Sequence, residues 1–284
     1  MQRREASTRQ SLTAILGWTR SSYVMLSLFL ATLVVVIVVW WPLMRAYFVY
    51  LDFSRPLIPQ IDWLLLGNFC IMSFLIMVHP DFKQDTLIIL VGLAGGLAIE
   101  GWGTQTDLWH YYTAERPPLW IIPAWPIASL SISRLVRFLD RTMPLRSERS
   151  YGILYWISFS VFYIWMLAFV WPFTDKSLTI LALTACALMI VTPTDRRLAV
   201  LTFAAGTGLG FFLELWGTTR YCWTYYTEQQ PPLFAVLAHG MAAVAFWRAG
   251  LLFNTMARRL VKPFPRRTVQ RTDLGRTGAE SPMG

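Results

Sequence analysis

The chain has 284 residues, 55% of them hydrophobic and 14% charged, with a net charge of +9 and a mean hydropathy of +0.46. Soluble domains carry about a quarter of their residues as Asp, Glu, Lys and Arg. This composition therefore excludes an ordinary soluble enzyme and predicts an all-α integral membrane protein, placed by expectation in a bacterial inner membrane. The basic residues flank apolar runs and build no basic domain, so nucleic acid is not an expected partner.

Residues 1–22 are polar and basic and are expected on the cytoplasmic side. The apolar run after them is too long for a cleaved signal peptide and has no small-residue cleavage site, so it should remain as the first span. Apolar runs long enough to cross about 30 Å of hydrocarbon fall at 23–44, 61–79, 86–102, 118–138, 152–171, 177–193, 198–216 and 232–253. They predict eight transmembrane helices in two parallel four-helix tandem repeats, 23–138 and 152–256. A basic cytoplasmic linker, 139–151, joins them. Trp41-Pro42 and Trp171-Pro172 should close the first helix of each repeat. The tail, 257–284, is basic and rich in Thr, Arg and Gly and is expected to be disordered.

Four spans per repeat give both halves one orientation, related by an axis along the membrane normal. With the N-terminus inside, only Arg45, Arg55, Arg116, Lys176 and Arg220 of the 25 basic residues fall outside. The positive-inside rule then puts both termini in the cytoplasm.

The duplication itself lies in residues 100–119 and 214–233. EGWGTQTDLWHYYTAERPPL and ELWGTTRYCWTYYTEQQPPL match at 11 of 20 positions, all at an offset of 114; chance would give roughly one or two. The register extends to Gly92 with Gly206, Gly96 with Gly210 and Asp81 with Asp195. Glu100 and Glu214 end their apolar runs, and the spacing of four puts each behind two glycines on one helical face. Such glycines mark close backbone approach, between these two helices or between each and a neighbour. Intramembrane acids normally face the interior, so Glu100 and Glu214 are the candidate catalytic pair. Burial and a like charge nearby disfavour an ionised carboxyl. A carboxylic acid that keeps its proton can protonate a weak base such as an alkene.

Trp102, Trp109, Tyr111, Tyr112 and Trp120 surround the first acid, and Trp216, Trp223, Tyr225, Tyr226 and Phe234 the second. Their π-faces could stabilise a carbocation, although Trp and Tyr also gather at membrane interfaces without any such role. Gly103 and Gly217 are expected to break the helices, and Pro117-Pro118 and Pro231-Pro232 to start the next ones. Asp81 and Asp195 fit helix caps. The copies diverge at Asp107 and His110, which become Tyr221 and Thr224, and at Trp125, which becomes His239. His239 joins the candidate binding residues, either as a hydrogen-bonded core histidine or as a base. Asp107 and His110, adjacent to Glu100, favour Glu100 as the proton donor. Three cysteines and three histidines show no ligand spacing, so no metal and no cofactor is expected.

Glu100, Gly103, Thr104, Trp109, Tyr111, Pro118, Leu119 and Trp125 form a pattern that resembles the membrane-embedded carotenoid hydratases. The resemblance covers one loop and its flanking helix ends. It implies an acid-dependent hydratase or cyclase acting on an unsaturated polyisoprenoid lipid. A transporter or lipid-handling protein using the acids for protons or cations is the alternative, and a structural subunit a third. A homo-oligomer or a membrane partner is left open.

Overall fold

Three aspartates start helices by accepting from amides that have no partner within the helix. Asp62 accepts from Leu64 and Leu65, Asp81 from Lys83 and Gln84, and Asp195 from Leu198. In the computed structural model, which describes residues 16–143 and 147–261, the helices are α1 Arg20–Val39, α2 Trp41–Phe48, α3 Trp63–Met77 and α4 Phe82–Gln105. They continue as α5 Ala124–Thr142, α6 Glu148–Val170, α7 Ser177–Val191, α8 Arg196–Thr219 and α9 Leu233–Val261. Two three-residue strands, β1 Trp109–Tyr111 and β2 Trp223–Tyr225, complete the elements. The bounds of α3 and α7, and of α4 and α8, lie 114 residues apart at both ends.

A helix falls on each of the eight apolar runs. Five are long and apolar enough to cross a membrane: Arg20–Val39, Phe82–Gln105, Glu148–Phe173, Arg196–Thr219 and Leu233–Arg259. The apolar helices α3 and α7 have 15 residues each, about 22 Å at 1.5 Å per residue. α5 starts six residues later than the run at 118–138 and carries Arg134, Arg137, Asp140 and Arg141. Pro42 opens α2 directly after α1, and Trp171–Phe173 is a short 3-10 turn after α6, so both Trp-Pro pairs mark helix ends. Many large apolar side chains face outward, among them Val38, Ile164 and Leu188, as a lipid-facing surface requires.

Two expectations are corrected. Residues 257–261 are helical rather than disordered, because α9 continues to Val261; 262–284, 1–15 and 144–146 lie outside the described residues. Gly103 and Gly217 do not break their helices, which run on to Gln105 and Thr219. The ends are made instead by Asp107 and Tyr221 in the left-handed region, at φ 61° and 54°. Leu108 N–H then reaches the Gly103 carbonyl at 3.0 Å, and Cys222 N–H the Gly217 carbonyl at 2.8 Å. This is the six-to-one closure of a Schellman motif.

The unit that holds these elements extends to Gly250, within α9; the described residues from Leu251 to Val261 belong to a second one. In the first unit α5 packs against α3, α4 and α8. Each glycine pair admits a neighbouring helix. A Cβ on Gly92 would meet Pro126 Cα of α5 at 2.8 Å, and one on Gly206 would meet the His239 carbonyl of α9 at 2.8 Å. Of the two arrangements the spacing allowed, each acid-bearing helix packs on its own successor. Asp85 and Arg134, both 1% exposed, tie α4 to α5 through bonds of 2.8 and 2.6 Å; nothing in the duplicated register marks this pair, since Ala199 stands at the equivalent of Asp85.

Replacing Gly92 or Gly206 with Leu should overpack these contacts and destabilise by about 1–3 kcal/mol. Gly208→Leu, at a position with nothing within 4 Å, is the control. Melting in detergent should fall for the first two and hold for the control; equal melting of all three would remove the packing role.

Candidate functional site

Past each Schellman turn the chain doubles back as a strand, and the two strands pair with each other antiparallel. Trp109 faces Tyr225, His110 faces Thr224 and Tyr111 faces Trp223. His110 and Thr224 occupy equivalent places in the two motifs, so the register maps onto itself when the copies are exchanged. Tyr112 N–H to Cys222 O at 3.2 Å and Tyr226 N–H to Leu108 O at 3.1 Å extend the same symmetry. Alternation along a strand sends neighbouring side chains to opposite faces. Trp109, Tyr111, Trp223 and Tyr225 therefore go inward, and His110 outward.

The inward tryptophans reach back to the acids. Trp109 Nε1 donates to Glu100 Oε2 at 3.1 Å, and Trp223 Nε1 to Glu214 Oε2 at 2.9 Å. Gly103 and Gly217 provide the room, because a Cβ on either would overlap the indole of Trp109 or Trp223. That packing explains the glycines better than helix breaking does. Each carboxylate then takes a donor from the following helix. Trp125 Nε1 reaches Glu100 Oε1 at 3.1 Å, and His239 Nε2 lies 2.9 Å from Glu214 Oε1. Tyr225 Oη donates to Glu214 Oε1 at 2.9 Å, while Tyr111 is directed at Glu100. Trp125 and His239, 114 apart in sequence, stack with centroids 5.6 Å apart and planes 17° from parallel.

Both acids are 4% exposed, and both line one cavity of about 700 Å³. Trp102, Trp109, Tyr111, Trp216, Trp223, Tyr225 and His239 line it too, so these sequence candidates come together. Phe234, named in the aromatic set of the second acid, lines it as well; Trp125, Phe162, Met166 and Phe246 also line it but were not among the sequence candidates for binding, and the signal for Trp125 was its alignment with His239. Tyr112 and Tyr226 stand outside. Tyr112 is half exposed and packs on Trp120, and Tyr226 Oη donates to the Phe169 carbonyl at 2.5 Å.

Asp107 and His110 do not support Glu100 as the donor. Asp107 pairs with Arg116 at 2.7 Å on an exposed turn, and His110 is exposed. His239, whose imidazole carries a nitrogen that can accept as well as one that can donate, contacts Glu214 and not Glu100. Among the described residues no group of three or more His, Cys, Asp or Glu could hold a metal ion.

Fold and site together define a helical protein with five helices long and apolar enough to cross a membrane and an aromatic-walled cavity holding two buried acids. No family model, curated protein or solved structure matches the chain.

Trp109→Phe and Trp223→Phe keep the ring in its glycine cradle and delete only the N–H. Each should destabilise by about 1–3 kcal/mol, the cost of leaving a buried polar group short of a partner. A thermal melt that matches the parent protein for both variants would show that the indoles serve only as packing.

Proposed function

We propose that this protein is an acid-dependent hydratase or cyclase acting on an unsaturated polyisoprenoid lipid. The observation that carries the proposal is the pair of buried carboxylates on the wall of one largely apolar cavity. Such a cavity suits a hydrocarbon chain, and an alkene is the group on such a chain that a carboxylic acid can activate. The similarity of the Glu100 motif to the carotenoid hydratases points the same way.

In this reading the proton comes from the Glu214–His239 pair. Nε2 of His239 can accept or donate a proton, and the carboxyl shares it at 2.9 Å. Proton transfer to the less substituted carbon of a trisubstituted double bond leaves a tertiary cation. Glu100, whose bonds to Trp109 and Trp125 come from groups that can only donate, faces that cation as an anion. The ring faces of Trp109, Trp223 and Tyr225 add cation–π attraction, about 0.5–2 kcal/mol each. Water adds to the cation and gives up a proton to a carboxylate or to His239, making a tertiary alcohol. If an internal double bond attacks instead, a ring forms, and loss of a proton regenerates the acid.

The duplicated motif and the matched bounds of α3 with α7 and α4 with α8 support a membrane topology of eight spans in two tandem repeats. The basic residues support both termini inside, in an inner membrane of bacterial type. Reporter fusions after Glu115 and Glu228 should both read as external, because 20 basic residues then lie inside against 5 outside. A cytoplasmic signal at either would overturn this topology.

Glu214→Gln preserves shape and removes the acid. With a linear polyene in nanodiscs, product mass should rise by one water, labelled in ¹⁸O water, for a hydratase, and stay unchanged for a cyclase. Glu214→Gln should fold and lose about 10²–10⁴-fold in turnover, His239→Gln somewhat less, and Glu100→Gln should lose cation stabilisation. Undiminished turnover in folded Glu214→Gln and Glu100→Gln would end the acid mechanism.

A further inference from the structure

The strand residues that line the cavity, Trp109, Tyr111, Trp223 and Tyr225, are buried, whereas its lining on α4 and α7 reaches the apolar flank of the bundle. Leu97 on α4 and Leu181 on α7 line it, yet they are 47% and 64% exposed. The lining contributed by these two helices includes the small residues Ala98, Ala182 and Ala185. Across this gap Trp102 Nε1 donates to Thr179 Oγ1 at 3.3 Å, near the outer end.

The equivalent gap, 114 residues on, lies between α8 and α3 and is built differently. Ala182 is replaced there by Asn68, whose Nδ2 donates to the Phe212 carbonyl at 3.2 Å. Lys176 is replaced by Asp62 and Thr106 by Arg220. Asp62 Oδ2 accepts from Trp216 Nε1 and from Arg220 Nε, both at 3.0 Å, and Oδ1 accepts from Arg220 Nη2 at 3.3 Å. Ala98 gives way to Phe212, and Ala185 to Ile71. The residues of α3 at this gap are not part of the cavity wall. Polar groups can clasp two helices in an apolar medium because leaving them unpaired there is expensive.

We infer that the α4/α7 gap is a lateral portal through which the end of an unsaturated hydrocarbon chain enters the cavity from the bilayer, while the Asp62–Arg220–Trp216 and Asn68–Phe212 contacts seal its counterpart. The identity of the chain as a polyisoprenoid rests on the function proposed above; the portal itself rests on the geometry of the two gaps. A cavity of about 700 Å³ is of the size that takes a drug-sized ligand. A long chain therefore inserts one end toward Glu100 and Glu214 and leaves the rest in lipid, and one end enters per molecule.

The test uses the full chain in phosphatidylcholine nanodiscs with a geranylgeranyl chain carrying a diazirine at its terminal unit. After irradiation, adducts are mapped by peptide mass spectrometry. They should fall on residues 97–101, 178–185 and 235–242, at least tenfold above the sealed gap at 64–71 and 211–212. Ala182→Trp and Ala185→Trp, two independent plugs, should each cut the adducts at 235–242 at least tenfold while detergent melting shows a folded protein. Ala182→Asn, which places the Asn68 side chain type in the open gap, should reduce them in the same direction. Equal labelling of the two gaps, absence of adducts at 178–185, or cavity labelling unchanged by either folded tryptophan plug would overturn the portal. Labelling as expected with no turnover of any polyene would leave the portal standing and remove the hydratase or cyclase chemistry. Turnover unaffected by both plugs would do the reverse.

Discussion

A carboxylate removed from water needs donors held where it sits, and in an apolar bundle nothing but the chain itself can supply them. That requirement organises the centre of this protein. Glu100 and Glu214 take indole N–H groups from Trp109 and Trp223, nine residues further along the chain. To bring an indole back over that distance, the helix must end abruptly, the chain must reverse, and the ring must find space against the helix it has just left. The left-handed residues Asp107 and Tyr221 end the helices, β1 and β2 carry the reversal, and Gly103 and Gly217 leave the space. A tyrosine in the left-handed region is unfavourable on its own; the Schellman bond and the strand pair behind it hold it there.

The two motifs depend on each other as well. A three-residue strand is too short to persist alone, and here each copy is the other's only strand partner among the described residues. The pairing carries Tyr225 against Trp109 and Tyr111 against Trp223, with ring centroids 5.7 and 5.9 Å apart. One acid site therefore cannot be disturbed without shifting the aromatic wall of the other. The Trp125–His239 stack adds a second link across the centre, joining the outer donor of Glu100 to that of Glu214.

The sequence made the acids, the inward aromatic residues and the caps legible because they repeat. An offset of 114 identifies a unit whatever its fold, and the spacing of Gly92, Gly96 and Glu100 gives a helix face without further information. What repetition could not convey is where the copies meet, since nothing local in W-H-Y or W-T-Y says that one strand pairs with the other. The strand's alternation was also hidden inside a run of aromatics, so His110, beside Trp109 in sequence, read as a neighbour of Glu100 although it points away. Tyr112 and Tyr226 misled for the same reason, each being one step out of phase with the inward Tyr111 and Tyr225. The Asp85–Arg134 pair escaped notice because it exists in one copy only. Helix termination at Gly103 was a fair expectation from composition; packing against Trp109 is the stronger demand on that residue, and an indole nine positions away leaves no local trace.

Duplication begins with two equal sites, and equality is a poor starting point for proton chemistry between two carboxyls. If both halves had kept Trp125's indole, each acid would be bound by fixed donors on both oxygens, and neither would have a neighbour able to return a spent proton. If both had kept His239's imidazole, both acids would have a partner able to accept as well as donate, and the two sites would not differ. On the proposed mechanism, one substitution at a single aligned position, where the two rings stack, separates the roles while leaving the shared scaffold intact. The same logic applies at the flanks. Two open gaps would admit two chain ends to a cavity lined by both acids, and two sealed gaps would admit none. On the inferred portal, the bonds of Asp62, Asn68 and Arg220 close one side, and Ala182, Lys176 and Thr106 at the aligned positions leave the other open. The copies differ at Trp125/His239 and at these gap positions, while the positions that build each acid's cradle, Gly103 with Trp109 and Gly217 with Trp223, are the same in both. A symmetric frame around an asymmetric centre is what the proposed proton transfer to a single bound chain would require, since donor and stabiliser must differ although their supports need not.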